Sequence, residues 1–301
     1  MRLPRSGYAV LVAVELRPLG VGEKLDAAFS LYRRNFGTLI AIVAVIVIPF
    51  QLLNAILSPD PIIDSDLEFN GGALFMLVLL TVLGFVANTL ATGSAAKAIA
   101  DDYLGETPNW LDSIQYGVDR LWPLVLGSIL FGISVFVGLI FFVIPGVILW
   151  VSWSIWVAVV IVEDMSATGA LGRSNRLVKG RRWPVFGYFI LIYLIVWLIT
   201  AIVGGLLGAV LLGGAEPGQV TVAGTVVGIV LALFTTPFVV AATVVLYFDQ
   251  RVRVEAFDVD LLASQISGTP LPQAPVPEEF GSLDGEEPPE SPQAFPPTDQ
   301  G

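Results

Sequence analysis

Six stretches of this chain, residues 38–57, 73–96, 122–144, 146–162, 185–212 and 221–248, run on without a single Lys, Arg, Asp or Glu. An α-helix rises about 1.5 Å per residue, so roughly 20 apolar residues cross a hydrocarbon layer about 30 Å thick. Each stretch meets that length or comes close. The fold expected is therefore all-α, a polytopic integral membrane bundle of about six transmembrane helices. Hydrophobic residues at 55%, charged residues at 14% and a mean hydropathy of +0.80 exclude an ordinary soluble domain. The third and fourth stretches meet at Pro145-Gly146. A single helix of about forty residues would overrun the bilayer, and Pro-Gly is a turn signal, so a hairpin is expected to reverse there.

The basic residues set the orientation. Arg2, Arg5, Arg17, Lys24, Arg33 and Arg34 precede the first span, and Lys97 and Arg120 lie between the second and third. Arg173, Arg176, Lys179, Arg181 and Arg182 lie between the fourth and fifth, and Arg251 and Arg253 follow the sixth. With six spans all fifteen fall on one side, while the first outer loop offers only Asp60, Asp64, Asp66 and Glu68. Basic loops stay inside, which predicts a multi-pass protein of the cell membrane with both termini in the cytoplasm. The apolar run from Tyr8 to Val14 is broken by Glu15 and Arg17 and is too short for a signal peptide. An interfacial segment or a misplaced start codon accounts for it. Residues 1–16 thus form an N-terminal segment and 17–263 a membrane domain. Residues 264–301, with nine prolines, seven acids and no base, form a cytoplasmic tail expected to be disordered. That tail carries much of the net charge of -11.

The chain has neither Cys nor His, which removes thiolate chemistry, disulfides, and the commonest metal ligand and general base. No enzyme activity, cofactor or metal is expected, and no nucleic-acid partner. The expected role is non-enzymatic, through contact with membrane lipids or with a membrane protein partner. The alternative is a transporter or channel for a neutral or amphiphilic substrate.

An internal repeat organises the spans. Arg34-Asn35-Phe36-Gly37, Arg120-Leu121-Trp122-Pro123 and Arg181-Arg182-Trp183-Pro184 each bring a basic residue, a spacer, an aromatic and Gly or Pro to the start of a span. Eleven residues before the aromatic, the first two copies read Leu25-Asp26 and Leu111-Asp112. Three units of one amphipathic helix plus one two-helix hairpin are expected, the third copy being the weakest match. Val21, Leu25, Phe29, Tyr32 and Phe36, and again Trp110, Ile114, Val118 and Leu121, step by three or four residues, as apolar helix faces do. Thr107 before Pro108 is the expected cap of the second short helix and Ser166 that of the third.

Candidate sites divide into two groups. Arg33, Arg34, Arg173, Arg176, Lys179, Arg181, Arg182, Arg251 and Arg253 stand where anionic lipid headgroups would lie, each charge contributing about 1 kcal/mol near the surface. Glu163, Asp164 and Asp249 are expected to pair with neighbouring arginines. Inside the bundle the polar candidates are Asn88, Thr92 and Thr236, as packing contacts or as the lining of a pathway. Pro49 and Pro237 fall within spans, and Gly204-xxx-Gly208 and Gly224-xxx-Gly228 are expected to bring spans five and six into close contact.

The segments Arg17-Pro18-Leu19-Gly20 with Leu31-Tyr32-Arg33-Arg34-Asn35-Phe36, then Arg173-Ser174-Asn175-Arg176-Leu177-Val178-Lys179-Gly180, and above all Tyr247-Phe248-Asp249-Gln250-Arg251-Val252-Arg253-Val254-Glu255-Ala256-Phe257-Asp258, carry a resemblance. Over residues 17–262 the chain resembles the glycerophosphodiester phosphodiesterase membrane-domain family. That resemblance implies a membrane domain that stands alone or precedes a hydrolytic barrel relying on histidines and acidic metal ligands. A barrel takes about 250 residues, fewer than 40 follow the membrane region here, and no histidine occurs. No catalytic residue is carried over.

Overall fold

The computed structural model describes residues 18–57, 70–212 and 217–255. The expected N-terminal segment, the acidic first outer loop and the Pro-rich tail lie outside them. Ten helices occur among the described residues: α1 (Val21–Arg34), α2 (Phe36–Ile56), α3 (Gly71–Tyr103), α4 (Trp110–Asp119), α5 (Leu121–Phe141), α6 (Val143–Ser152), α7 (Trp156–Glu163), α8 (Ala167–Val178), α9 (Arg182–Leu212) and α10 (Pro217–Glu255). Taking α6 and α7 together as one crossing, six are long and apolar enough to span a membrane. The chain is an all-α helix bundle. Its order is a short helix followed by a hairpin, three times over: α1 before α2–α3, α4 before α5–α6/α7, and α8 before α9–α10.

Local chemistry sets the joints. Glu23 in the first turn of α1 accepts from Gly20 N at 2.6 Å, and Arg33 and Arg34 close its last turn, the charge order that a helix dipole favours. Asn70 caps α3 by accepting from Ala73 N at 2.9 Å. Ser166 caps α8 through Gly169 N, as expected. For α4 the expectation was two residues early. The cap is Asn109, whose side chain accepts from Leu111 N at 2.9 Å, and Thr107 and Pro108 lie ahead of it.

The expected hairpin between the third and fourth spans holds in kind and shifts in place. The reversal falls at Phe142, in extended backbone, and Pro145 and Gly146 sit in the first turn of α6, where a proline's missing N–H costs no helical hydrogen bond. What requires glycine at 146 is contact rather than turning. A Cβ there would lie 2.6 Å from Leu139 N, and one on Gly138 would lie 2.9 Å from Gly146 Cα, so α5 and α6 touch backbone to backbone. Of the expected glycine contacts between spans five and six, the one at Gly204 is made, to a side chain of α10 at 3.2 Å and not to its backbone. A Cβ on Gly224 or Gly228 meets no described atom within 4 Å, and one on Gly204 meets the Leu231 side chain. The fourth crossing is also broken at Trp153–Ile155, between α6 and α7, which the sequence did not foretell.

The short helices turn inward a ridge other than their apolar face. α1 packs Lys24, Ala28 and Leu31 inward and leaves Val21 and Phe29 exposed, and α4 buries Ser113 and Gly117 while Trp110 and Val118 face out. The inner ridge of α4 is small where it meets the bundle most closely: a Cβ on Gly117 would lie 2.3 Å from Ser94 Oγ. The core proper gathers around α7 and the second half of α10. It contains Val159, Val160, Ala241, Val245, Tyr247 and Phe248, with Tyr103 stacked on Phe248 at 4.2 Å. Large apolar side chains elsewhere, such as Phe136, Ile144, Trp197 and Val210, point outward, as residues that meet acyl chains do.

Candidate functional site

Among the described residues the charged side chains lie at one set of helix ends, and ion pairs show which ends share it. Arg34, at the last turn of α1 and just ahead of α2, donates to Asp102 near the end of α3 at 2.8 Å, and Asn35 donates to the same carboxylate. Arg120, just ahead of α5, pairs with Asp164, one residue past α7. In each of the first two units, the arginine of the basic-spacer-aromatic motif is therefore closed onto a carboxylate at the end of its own hairpin.

Two buried clamps hold the remaining ends. Arg173 of α8 lies between Glu163 of α7 and Glu255 of α10, with Nε 2.7 Å from Glu163 Oε2 and Nη2 2.7 Å from Glu255 Oε2. Tyr247 Oη donates to Glu163 at 2.9 Å, and Arg251 donates to Glu255 at 3.3 Å. Burial works against the charged form of Arg173, but the hydrogen bonds with Glu255 and Glu163 outweigh it and hold its pKa above the ordinary arginine value. The second clamp centres on Asp249, 1% exposed. Its carboxylate accepts from Leu19 N at 2.9 Å, Lys24 Nζ at 3.1 Å and Arg253 Nε at 2.9 Å. Lys24 also sits 5.2 Å from the centre of the Tyr188 ring, whose hydroxyl donates to Ala242 O at 3.1 Å.

These partners sort the nine basic candidates. Arg34, Arg173, Arg251 and Arg253 are taken up by internal carboxylates. Arg182 is fixed by neutral groups, donating to Ser152 Oγ at 2.9 Å and Asn175 Oδ1 at 3.1 Å. Arg33, Arg176, Lys179 and Arg181 have no carboxylate partner among the described residues. Three of these four belong to the end of α8 and its turn into α9. Glu163 pairs with Arg173 and Asp249 with Arg253, neighbouring arginines as expected, and Asp249 also takes Lys24, whereas Asp164 reaches back to Arg120.

The polar interior candidates are not brought together. Asn88 is exposed on α3, and Thr236 is half-buried on α10. Thr92 alone lines a cavity of about 180 Å³ beside the α6–α7 break, together with Ser154, Trp156, Tyr193 and Thr243. Its hydroxyls bond back to their own helices, Thr92 to Asn88 O, Ser154 to Val151 O and Thr243 to Val239 O. Among the described residues no three His, Cys, Asp or Glu side chains gather as a metal site would need.

Residues that the sequence reading passed over are Lys24, Tyr247 and Glu255 as clamp members, and Leu19, whose backbone N–H Asp249 binds. The signal for three of them was present: Leu19 lies in the first quoted motif, and Tyr247 and Glu255 in the last. Comparison with family models, with curated proteins and with solved structures gives no match.

Proposed function

We propose that this chain is a non-enzymatic, multi-pass protein of the cell membrane that holds anionic lipid at the turn between α8 and α9, with its charged end and both termini in the cytoplasm. The observation that carries the reading is the contrast among the three units. Arg34 and Arg120 are each neutralised by a carboxylate of their own hairpin, whereas Arg181, at the same place in the third motif, has none among the described residues. Arg176 and Lys179 stand beside it, exposed and likewise without a carboxylate. A cationic turn beside Trp183, 83% exposed, has the composition of a headgroup-level site. The outward Phe29 of α1 and Trp110 of α4 support placing those helices in the same layer as amphipathic interfacial segments. The motif beginning at Tyr247 supports membership in the glycerophosphodiester phosphodiesterase membrane-domain family, without its hydrolytic domain. In this chain its Tyr247, Asp249, Arg251, Arg253 and Glu255 work as clamp residues.

Neutralising Arg176, Lys179 and Arg181 together to Gln is expected to cut co-purifying anionic lipid by roughly a hundredfold, at about 1 kcal/mol per charge. Lipid content equal to the unsubstituted protein, by native mass spectrometry, sinks the reading. The orientation has its own check, because the chain has no Cys to interfere. A membrane-impermeant maleimide is expected to label Gly71→Cys on intact cells and Glu106→Cys only in inverted vesicles.

A transport pathway for a neutral or amphiphilic substrate is the second reading. The observation in its favour is the break between α6 and α7 beside the small cavity, since interrupted helices line substrate sites in transporters. The turned-back hydroxyls there favour lipid contact over transport. Faster entry of a neutral solute into proteoliposomes than into empty liposomes would reverse that order.

A further inference from the structure

We propose that the groove between α6 and the start of α9 seats one acyl chain of an anionic glycerophospholipid whose phosphate lies at the turn Lys179-Gly180-Arg181. This rests on the lipid-contact reading above and adds where the lipid sits and why a diacyl lipid, rather than a soluble phosphate, is held.

The groove has a volume of about 540 Å³. One wall is the apolar face of α6, with Val143, Ile144, Val147, Ile148 and Val151, and the other is the start of α9 with Trp183 and Phe186. Eight residues separate Val143 from Val151, so that wall is about 12 Å long. Its chemistry is one-sided. Apolar side chains line its length, and the polar members, Gly180 and Arg182, belong to the turn and to the residue that opens α9. That is the polarity of a lipid, tail along the groove and anion at its mouth.

The mouth carries charge that no carboxylate among the described residues cancels. Arg182 is held in place by a hydroxyl and an amide, so its position is fixed with no carboxylate partner among the described residues. Arg181 and Lys179 flank Gly180 and have no carboxylate partner among the described residues. Gly180 takes φ +85°, a left-handed conformation that reverses the chain between these two cations. Another groove, about 450 Å³ between α1, α9 and α10, is lined in part by Asp26, whose charge disfavours the same ligand. The cavity at the helix break, at about 180 Å³, is too small for an acyl chain.

The test uses the full chain in nanodiscs of equal parts phosphatidylglycerol and phosphatidylcholine, with retained lipid read by native mass spectrometry. Two double variants separate the two ends of the site. Lys179→Gln with Arg181→Gln removes the charges, and Ile144→Trp with Ile148→Trp fills the groove from two exposed positions that leave the core untouched. Both are expected to lower phosphatidylglycerol retention, the first by about thirtyfold. Inorganic phosphate in excess is expected to leave the retained lipid in place. If the tryptophan variant keeps its phosphatidylglycerol while the glutamine variant loses it, the acyl-chain groove is wrong and headgroup contact stands. If neither loses it, both fall. Loss in the tryptophan variant alone overturns the anionic part. A photoreactive phosphatidylglycerol on the unsubstituted protein gives an independent reading: labelling is expected within 143–151, and labelling confined to other helices overturns the proposal.

Discussion

Asp249→Ala is expected to destabilise the protein by about 3–5 kcal/mol, the cost of stranding buried charge by removing one partner. Asp249 is the common acceptor for Lys24, Arg253 and the backbone N–H of Leu19, and Lys24 is itself buried. Without the carboxylate, an ammonium and an amide are left in a pocket closed by Tyr188 and α10. Unfolding in mixed micelles of sodium dodecyl sulfate and a non-ionic detergent reads the loss directly. Asp249→Asn keeps an acceptor and is expected to fall between. The informative control is Lys24→Met with Asp249→Leu, which removes both ends of the pair and is expected to recover much of the stability, because a buried ion pair often does no better than a packed apolar pair. A change under about 1 kcal/mol for Asp249→Ala would mean that the clamp holds nothing.

The second large effect is expected at Gly146. Its Cβ would fall 2.6 Å from Leu139 N and 2.8 Å from Gly138 C, so Gly146→Val forces two backbones apart, and no flexible side chain can give way. A cost of about 3 kcal/mol is expected, at the upper end for overpacking, since the strain falls on the hairpin itself. Gly132→Val on the same α5 is the control. A Cβ there meets no described atom within 4 Å, and the substitution is expected to be nearly silent. Equal midpoints for the two variants would show that α5 and α6 do not depend on close approach.

The number and apolar character of the crossings were legible because freedom from charge over about 20 residues is a property of the chain itself. The same holds for the order of short helix and hairpin, which the recurrent Arg-spacer-aromatic motif announced. Placement was less legible. Pro145-Gly146 reads as a turn, yet a proline is at home in a first helical turn, and Phe142 takes the reversal instead. The glycines at the backbone contact, Gly138 and Gly146, stand eight apart on the two helices of a hairpin and form no recognisable spacing, whereas in the regular pairs Gly204 meets only the Leu231 side chain. The site divided along similar lines. A stretch with five basic residues and no acid, 173–182, reads correctly as cationic, but which of its members stay unpaired depends on carboxylates far along the chain: Arg173 is taken by Glu255, 82 positions on, and Arg181 is passed over. Lys24 reads as a surface lysine for the same reason, its partner lying 225 positions away.

That separation has a consequence for how the protein is made. Leu19 and Lys24 are among the earliest described residues to leave the ribosome, and the carboxylate that receives them lies near the end of the last crossing. Chains fold in the order of their synthesis where they can, but this contact has no partner until translation has passed Asp249. A nascent chain stalled before that point carries an unmatched cation at its beginning, and completion of α10 removes it. The first turn of α1 thus completes its contacts only when the last helix has arrived.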